Sequence, residues 1–193
     1  MSNNITFSKK IIMLSLLLLS PLFAIQEANI KSEMENKINY ITTILQNKNL
    51  SSTEKKGQIS PTTDSIFDYT TMSKISLGKK WKQLTVEERE NFSQKFKTKL
   101  KNSYFEKLEL YTNEKVLVKE LKKLKATRIQ LYTEIVAAEE NYEIIYKFYK
   151  VKASNDWLIY DIDITGVSII QTYRKQFSEF LATKSFNELL NSL

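Results

Sequence analysis

Asp161 and Asp163 are the residues best placed to do chemistry. They are two carboxylates at i and i+2 in the run WLIYDIDI, whose apolar and polar side chains alternate as in a strand. That spacing puts both on one face, where they could hold a hard cation or act as acid and base. The same spacing also describes the polar face of a half-buried sheet, with a lysine of a neighbouring strand as counter-ion. Glu87, Glu88 and Glu90 make a second acidic group. They follow Thr85 at capping-box spacing and complement the positive end of a helix. Tyr146-Lys147-Phe148-Tyr149-Lys150 interleaves aromatics with cations, as a base-stacking platform does and as any strand with one polar face does.

What the chain lacks narrows the chemistry further. Its 193 residues include no histidine and no cysteine. A Ser-His-Asp triad, a thiolate nucleophile, a disulfide framework and a thiol for lipid attachment are all excluded, and the usual transition-metal ligands are missing. The three glycines, Gly57, Gly78 and Gly166, cannot compose a phosphate-cradling loop or a dinucleotide fingerprint. No catalytic residue, metal or cofactor is expected, and the chain reads as a non-enzyme.

The elements that carry these residues follow from periodicity. Ile30, Met34, Ile38, Ile41 and Leu45 recur at three or four, giving a first helix. The run 47–60 is polar and reads as a loop, with Pro61 suited to the first turn of the next helix. Ile66, Phe67, Met72 and Ile75 belong to one or two short helices that stop at Gly78. A long helix starts at Thr85 and carries Phe92, Phe96, Leu100, Tyr104 and Leu108 on one stripe.

Beyond Tyr111 the period falls to two. Strands are expected over 116–121, 125–137, 142–151 and 157–164. Their apolar sets are Ile129, Leu131 and Ile135, then Tyr142, Ile144, Tyr146 and Phe148, and finally Leu158, Tyr160, Ile162 and Ile164. Gly166 leads into a helix with Val167, Ile170, Tyr173, Phe177 and Phe180 on one side, and a short amphipathic piece over 186–193 closes the chain. The fold class is α+β: a twisted antiparallel sheet of about four strands, apolar on one face, wrapped by helices.

At the other end, Lys9 and Lys10 precede the apolar run 11–19, which is too short to span a bilayer. With Ser20, Pro21 and Ala24 after it, residues 1–24 read as a secretory signal peptide and 25–193 as a single domain. Removing the two lysines of that segment leaves 27 basic and 22 acidic residues of the original 29 and 22, a formal charge of +5. Export makes anionic membranes or acidic proteins better partners for this excess than nucleic acid. Lys97, Lys101, Arg174 and Lys175 are candidates for such a basic surface.

Two blocks in this order carry a family resemblance: Phe67-Asp68, Leu77-Gly78 and Trp81 with 85–89 and Phe96, then Trp157, Tyr160-Asp161 and Gly166-Val167-Ser168 with Arg174 and Phe177. Together they resemble the MlaC family, also called the toluene-tolerance auxiliary proteins. The resemblance implies a cone-like fold whose deep apolar pocket holds the acyl tails of a phospholipid. It also implies a periplasmic carrier that maintains outer-membrane lipid asymmetry, moving lipid between an outer-membrane lipoprotein complex and an inner-membrane ABC transporter. Face parity and helix stripes place Phe67, Met72, Phe96, Leu100, Leu131, Ile144, Tyr146, Phe148, Leu158, Tyr160, Ile162, Val167 and Ile170 in the lipid-binding pocket. Tyr160 is expected to lay its ring against a tail. Two other readings stay open: a periplasmic adaptor with a solid core and no ligand, and an enzyme of the same architecture with a pocket acid acting on an apolar substrate.

Overall fold

The first turns of five of the six described α-helices are fixed by a side chain that caps their free amides; the first helix, entered at Asn29, has no such cap. A computed structural model describes residues 25–111 and 113–193; the expected signal peptide, 1–24, lies outside the described residues. The helices are α1 (Ile30–Gln46), α2 (Ser52–Asp64), α3 (Tyr69–Leu77), α4 (Val86–Leu108), α5 (Ile169–Leu181) and α6 (Phe186–Asn191). Ser51 with Glu54, Thr85 with Glu88, and Ser185 with Glu188 close reciprocal capping boxes on α2, α4 and α6. The strands are β1 (Lys115–Lys125), β2 (Arg128–Val136), β3 (Asn141–Lys150), β4 (Trp157–Ile164) and β5 (Val167–Ser168). They form one antiparallel sheet in sequence order.

Two expectations change here. The run 47–60 is not all loop, because α2 begins at Ser52 and carries Pro61 inside it. Its polarity conceals it: Ile59 is the only fully buried side chain of α2, so no apolar stripe announces the helix. The sheet has five strands rather than about four. Thr165 and Gly166, with φ of 50° and 82°, turn the chain back so that Val167 pairs with Ile164 before α5 starts. Positive φ at both central positions is what a tight two-residue hairpin with the twist of its strands requires.

Register decides which side chains meet the helices. Ile129, Leu131, Phe148, Trp157 and Ile159 pack with Ile30, Met34 and Ile38 of α1. Strand β4 does not keep strict alternation: Lys147 pairs with Asp161 and Phe148 with Ile159, which leaves Tyr160 as an extra residue. The bulge exchanges the faces, so that Trp157 and Ile159 before it, and Ile162 and Ile164 after it, all point at the helices. The first half of β4 is also paired on its other edge by the chain at 66–68: Asp68 N–H donates to Ile159 O at 2.9 Å and Ile159 N–H to Ile66 O at 2.8 Å.

The helices share a second core in which Phe92, Phe96, Phe177 and Phe186 meet Trp81, Ile170 and Leu189. The rings of Phe92 and Phe96 stack 5.6 Å apart, and Phe177 presents its edge to both. A smaller cluster, Ile44, Leu45, Ile59 and Phe105, joins the ends of α1, α2 and α4. These three clusters surround a space that none of them fills.

Candidate functional site

That space is a cavity of about 370 Å³ between the sheet and helices α1, α2 and α4. The sheet contributes Val116, Ile135, Tyr142, Ile144, Tyr146, Ile162 and Ile164. Across from them stand Ile38, Ile41 and Leu45 of α1, Ile59 of α2, and Leu100, Tyr104, Phe105 and Leu108 of α4. Ile66, Phe67, Tyr69, Met72 and Ile169 extend the wall, together with Met34, Tyr111 and the hydroxyl side chains Thr42, Ser60 and Thr63. Tyr142, 41% exposed, and Lys107 reach solvent, whereas Met72 and Leu100 are buried. No Asp or Glu lines the cavity; its charged residues are Lys37, Lys56, Lys101 and Lys107.

Besides the four lysines, the polar side chains on the lining are hydroxyls, those of Thr42, Ser60 and Thr63 and a set of phenols, three of which the walls hold neutral well into the alkaline range. Burial pushes the Tyr146 hydroxyl up to about 12 and drives Tyr69 and Tyr104 well above the ordinary phenol range. The lining holds no His, Cys, Asp or Glu, and so no carboxylate or imidazole base beside its hydroxyls. Among the described residues no group of three or more His, Cys, Asp or Glu side chains could hold a metal ion.

Six of the thirteen expected pocket residues line the cavity: Phe67, Met72, Leu100, Ile144, Tyr146 and Ile162. Phe96 and Ile170 are solid core among the helices, and Leu131 and Phe148 are solid core against α1. A helix stripe or strand face is longer than any cavity, so its remaining members pack on protein. Val167 is 60% exposed, because β5 intervenes before α5 and puts it outside.

Leu158 and Tyr160 are corrected by the bulge. Leu158 borders a separate notch on the outer face with Tyr149 and Asp68. Tyr160 lies on that same face, its ring 6.1 Å from Tyr149 and 5.3 Å from the Arg128 guanidinium. The helix α1 and α2 walls were missing from the expected site. The α1 stripe Ile38, Ile41 and Leu45 was visible as periodicity, whereas Ile59 had only the capping box Ser51-x-x-Glu54 to betray its helix.

Asp161 and Asp163 stand on the outer face, away from the cavity. Lys147 Nζ donates to Asp161 Oδ2 at 3.0 Å and to Asp163 Oδ2 at 3.4 Å. Asp161 also accepts from Ser168 Oγ at 2.7 Å and from the Ile170 N–H at 3.1 Å. It is a buried knot that ties the start of α5 to the sheet. Partial burial alone would lower the Lys147 ammonium, but the two carboxylates outweigh it and raise the value. The four expected surface cations have local partners. Lys97 and Lys101 bridge to Asp64 at 3.1 and 3.0 Å, Lys175 faces Glu179 at 4.0 Å, and Arg174 lies against Gly78, whose φ is +56°.

A twisted open sheet closed by helices over an apolar, acid-free cavity defines a class: an α+β protein built to enclose something apolar. The MlaC protein family model matches residues 35–193, and the chain belongs to the MlaC family. Membership agrees with the reading of the chain as a non-enzyme. Among seven matching chains of solved structures is a phospholipid-binding protein from Ralstonia solanacearum, solved in complex with a phospholipid. It is 19% identical, with a TM-score of 0.69 over 79% of this chain and 87% of that one, and it shares the fold. No curated protein sequence matches the chain.

Proposed function

We propose that the protein is a periplasmic phospholipid carrier: exported by the signal peptide at 1–24, it encloses acyl tails in the cavity of its single domain and leaves the head group outside. The observation that carries this reading is the cavity itself, continuous, walled by apolar side chains and free of any carboxylate. Each methylene kept from water is worth about 0.8 kcal/mol, so two tails of about fifteen carbons cross an aqueous space only at a cost on the order of 20 kcal/mol unless they are enclosed. Enclosure requires apolar walls and no reactive group. The phospholipid bound to the Ralstonia solanacearum protein of the same fold, and membership in the MlaC family, support the cargo assignment.

The family resemblance supplies the partners: an outer-membrane lipoprotein complex at one end of the journey and an inner-membrane ABC transporter complex at the other. No described helix is long and apolar enough to cross a membrane, which suits a protein that moves between two of them. The enzyme reading has no acid in the cavity to use, and the adaptor reading has a cavity to explain. Extraction of lipid from protein purified without detergent tests the proposal; stoichiometric phospholipid is expected, and lipid-free protein argues for the adaptor.

A further inference from the structure

Every charged side chain on the cavity wall is a lysine. Two of the four are engaged: Lys101 bridges to Asp64, and Lys56 donates to Asn102 Oδ1 at 2.6 Å. The ammonium groups of Lys37 on α1 and of Lys107 near the end of α4 form no hydrogen bond or ion pair with the described residues. Lys37 is half-buried and Lys107 exposed, and both line the same cavity, on α1 and α4 across from the sheet. A solvated lysine is ordinary, but four lining cations with no lining carboxylate, and with Asp64 beside Lys101 already bridged by Lys97 as well, leave an excess of positive charge beside a low-dielectric space.

We propose that Lys37 and Lys107 form a head-group subsite that selects phospholipids of net negative charge over zwitterionic ones. The inference rests on the carrier reading, since only a lipid whose tails fill the cavity brings its phosphate to this rim. The chemistry is that of mobile ammonium groups meeting a phosphodiester: Lys37 and Lys107 act as point charges, with no bidentate fork to demand one geometry. A zwitterionic head group offers the same phosphate but brings its own cation, which competes with the lysines, while Asp64 beside Lys101 is already held by two ammonium groups. Selection therefore acts on net charge and not on head-group shape.

The test equilibrates the full mature chain with vesicles containing equal amounts of phosphatidylglycerol and phosphatidylcholine of identical acyl composition, then separates the protein and quantifies both lipids bound. At low salt, phosphatidylglycerol should be enriched roughly threefold to tenfold, the range that two exposed ion pairs of ordinary strength give. Raising salt from about 0.05 M to about 0.5 M should move the bound ratio toward that of the vesicles, because screening shortens the reach of the field. Lys37→Gln with Lys107→Gln should abolish most of the enrichment, whereas Lys79→Gln with Lys152→Gln, the same change of net charge away from the rim, should retain it. Wild type carrying lipid in the vesicle ratio overturns the subsite and leaves the carrier reading standing. Enrichment lost equally in both double variants also overturns it, since the cause is then overall charge. Wild type that takes up no lipid overturns the carrier reading and the subsite with it.

Discussion

Lys147 is the residue on which the outer face of the sheet depends. It neutralises two carboxylates whose side chains are 6% and 16% exposed, and Asp163 Oδ1 already has no hydrogen-bond partner. Lys147→Met leaves both acids unpaired, and we expect a loss of about 3 kcal/mol in unfolding free energy by denaturant titration. Its pH dependence has a definite sign. The folded-state value is raised, so the stabilisation is complete below the ordinary lysine value of about 10.4 and is lost as pH rises through the higher folded value. Tyr146, pushed up to about 12 by burial, loses stability in an overlapping alkaline window. The Lys147 share is therefore the difference between wild type and variant. An alkaline stability loss of the same size in both would contradict the assignment.

A pair of glutamate substitutions tests the two faces at this same scale. Ile144→Glu puts a carboxylate into the cavity wall, where tails must lie or the acid must rise in pKa and stay neutral. Bound lipid should fall severalfold. Tyr160→Glu places the same charge on the outer face beside Arg128, and lipid content should stay near wild type. The reverse ranking in lipid extracted from equal amounts of folded protein would show that the bulge had been misassigned.

Among the elements, the junction of β4, β5 and α5 orders the site, because Ile162, Ile164 and Ile169 of that junction form one end of the cavity. Asp161 fastens it through three hydrogen bonds, and Thr165-Gly166 sets its turn. Gly166→Ala has room for its Cβ, with nothing within 4 Å, so its cost is purely the left-handed backbone, about 1 kcal/mol. Thermal unfolding should show a drop of a few degrees with lipid content retained. Much of this layer was legible in the sequence. The capping box at Thr85, the stop at Gly78, the meander and the parity of β2 and β3 are local signals, and local physics sets them.

What escaped was set elsewhere. The bulge at Tyr160 comes from pairing β4 with β3 on one edge and with the chain at 66–68 on the other, which no alternation within 157–164 records. Phe96 and Ile170 obey their helix stripes yet pack on protein, since a stripe says which side is buried and not what covers it. Helix α2 escaped because one buried isoleucine makes no period.

At the scale of the whole molecule, the arrangement trades a continuous core for three separate clusters around a space. The phenylalanine-rich cluster holds the helices together at one side, and the α1 cluster seals the sheet at another. Between them the walls keep their shape without side chains to fill the interior, which is what an exchangeable cargo requires. The account stands on that cavity being occupied by lipid tails. The most direct measurement is native mass spectrometry of the mature protein purified without detergent from cells that export it. The account predicts a main species heavier than the bare chain by the mass of phospholipid, which is released on denaturation and identified in the extract. A single species at the mass of the bare chain, unchanged after incubation with phospholipid vesicles, would contradict it.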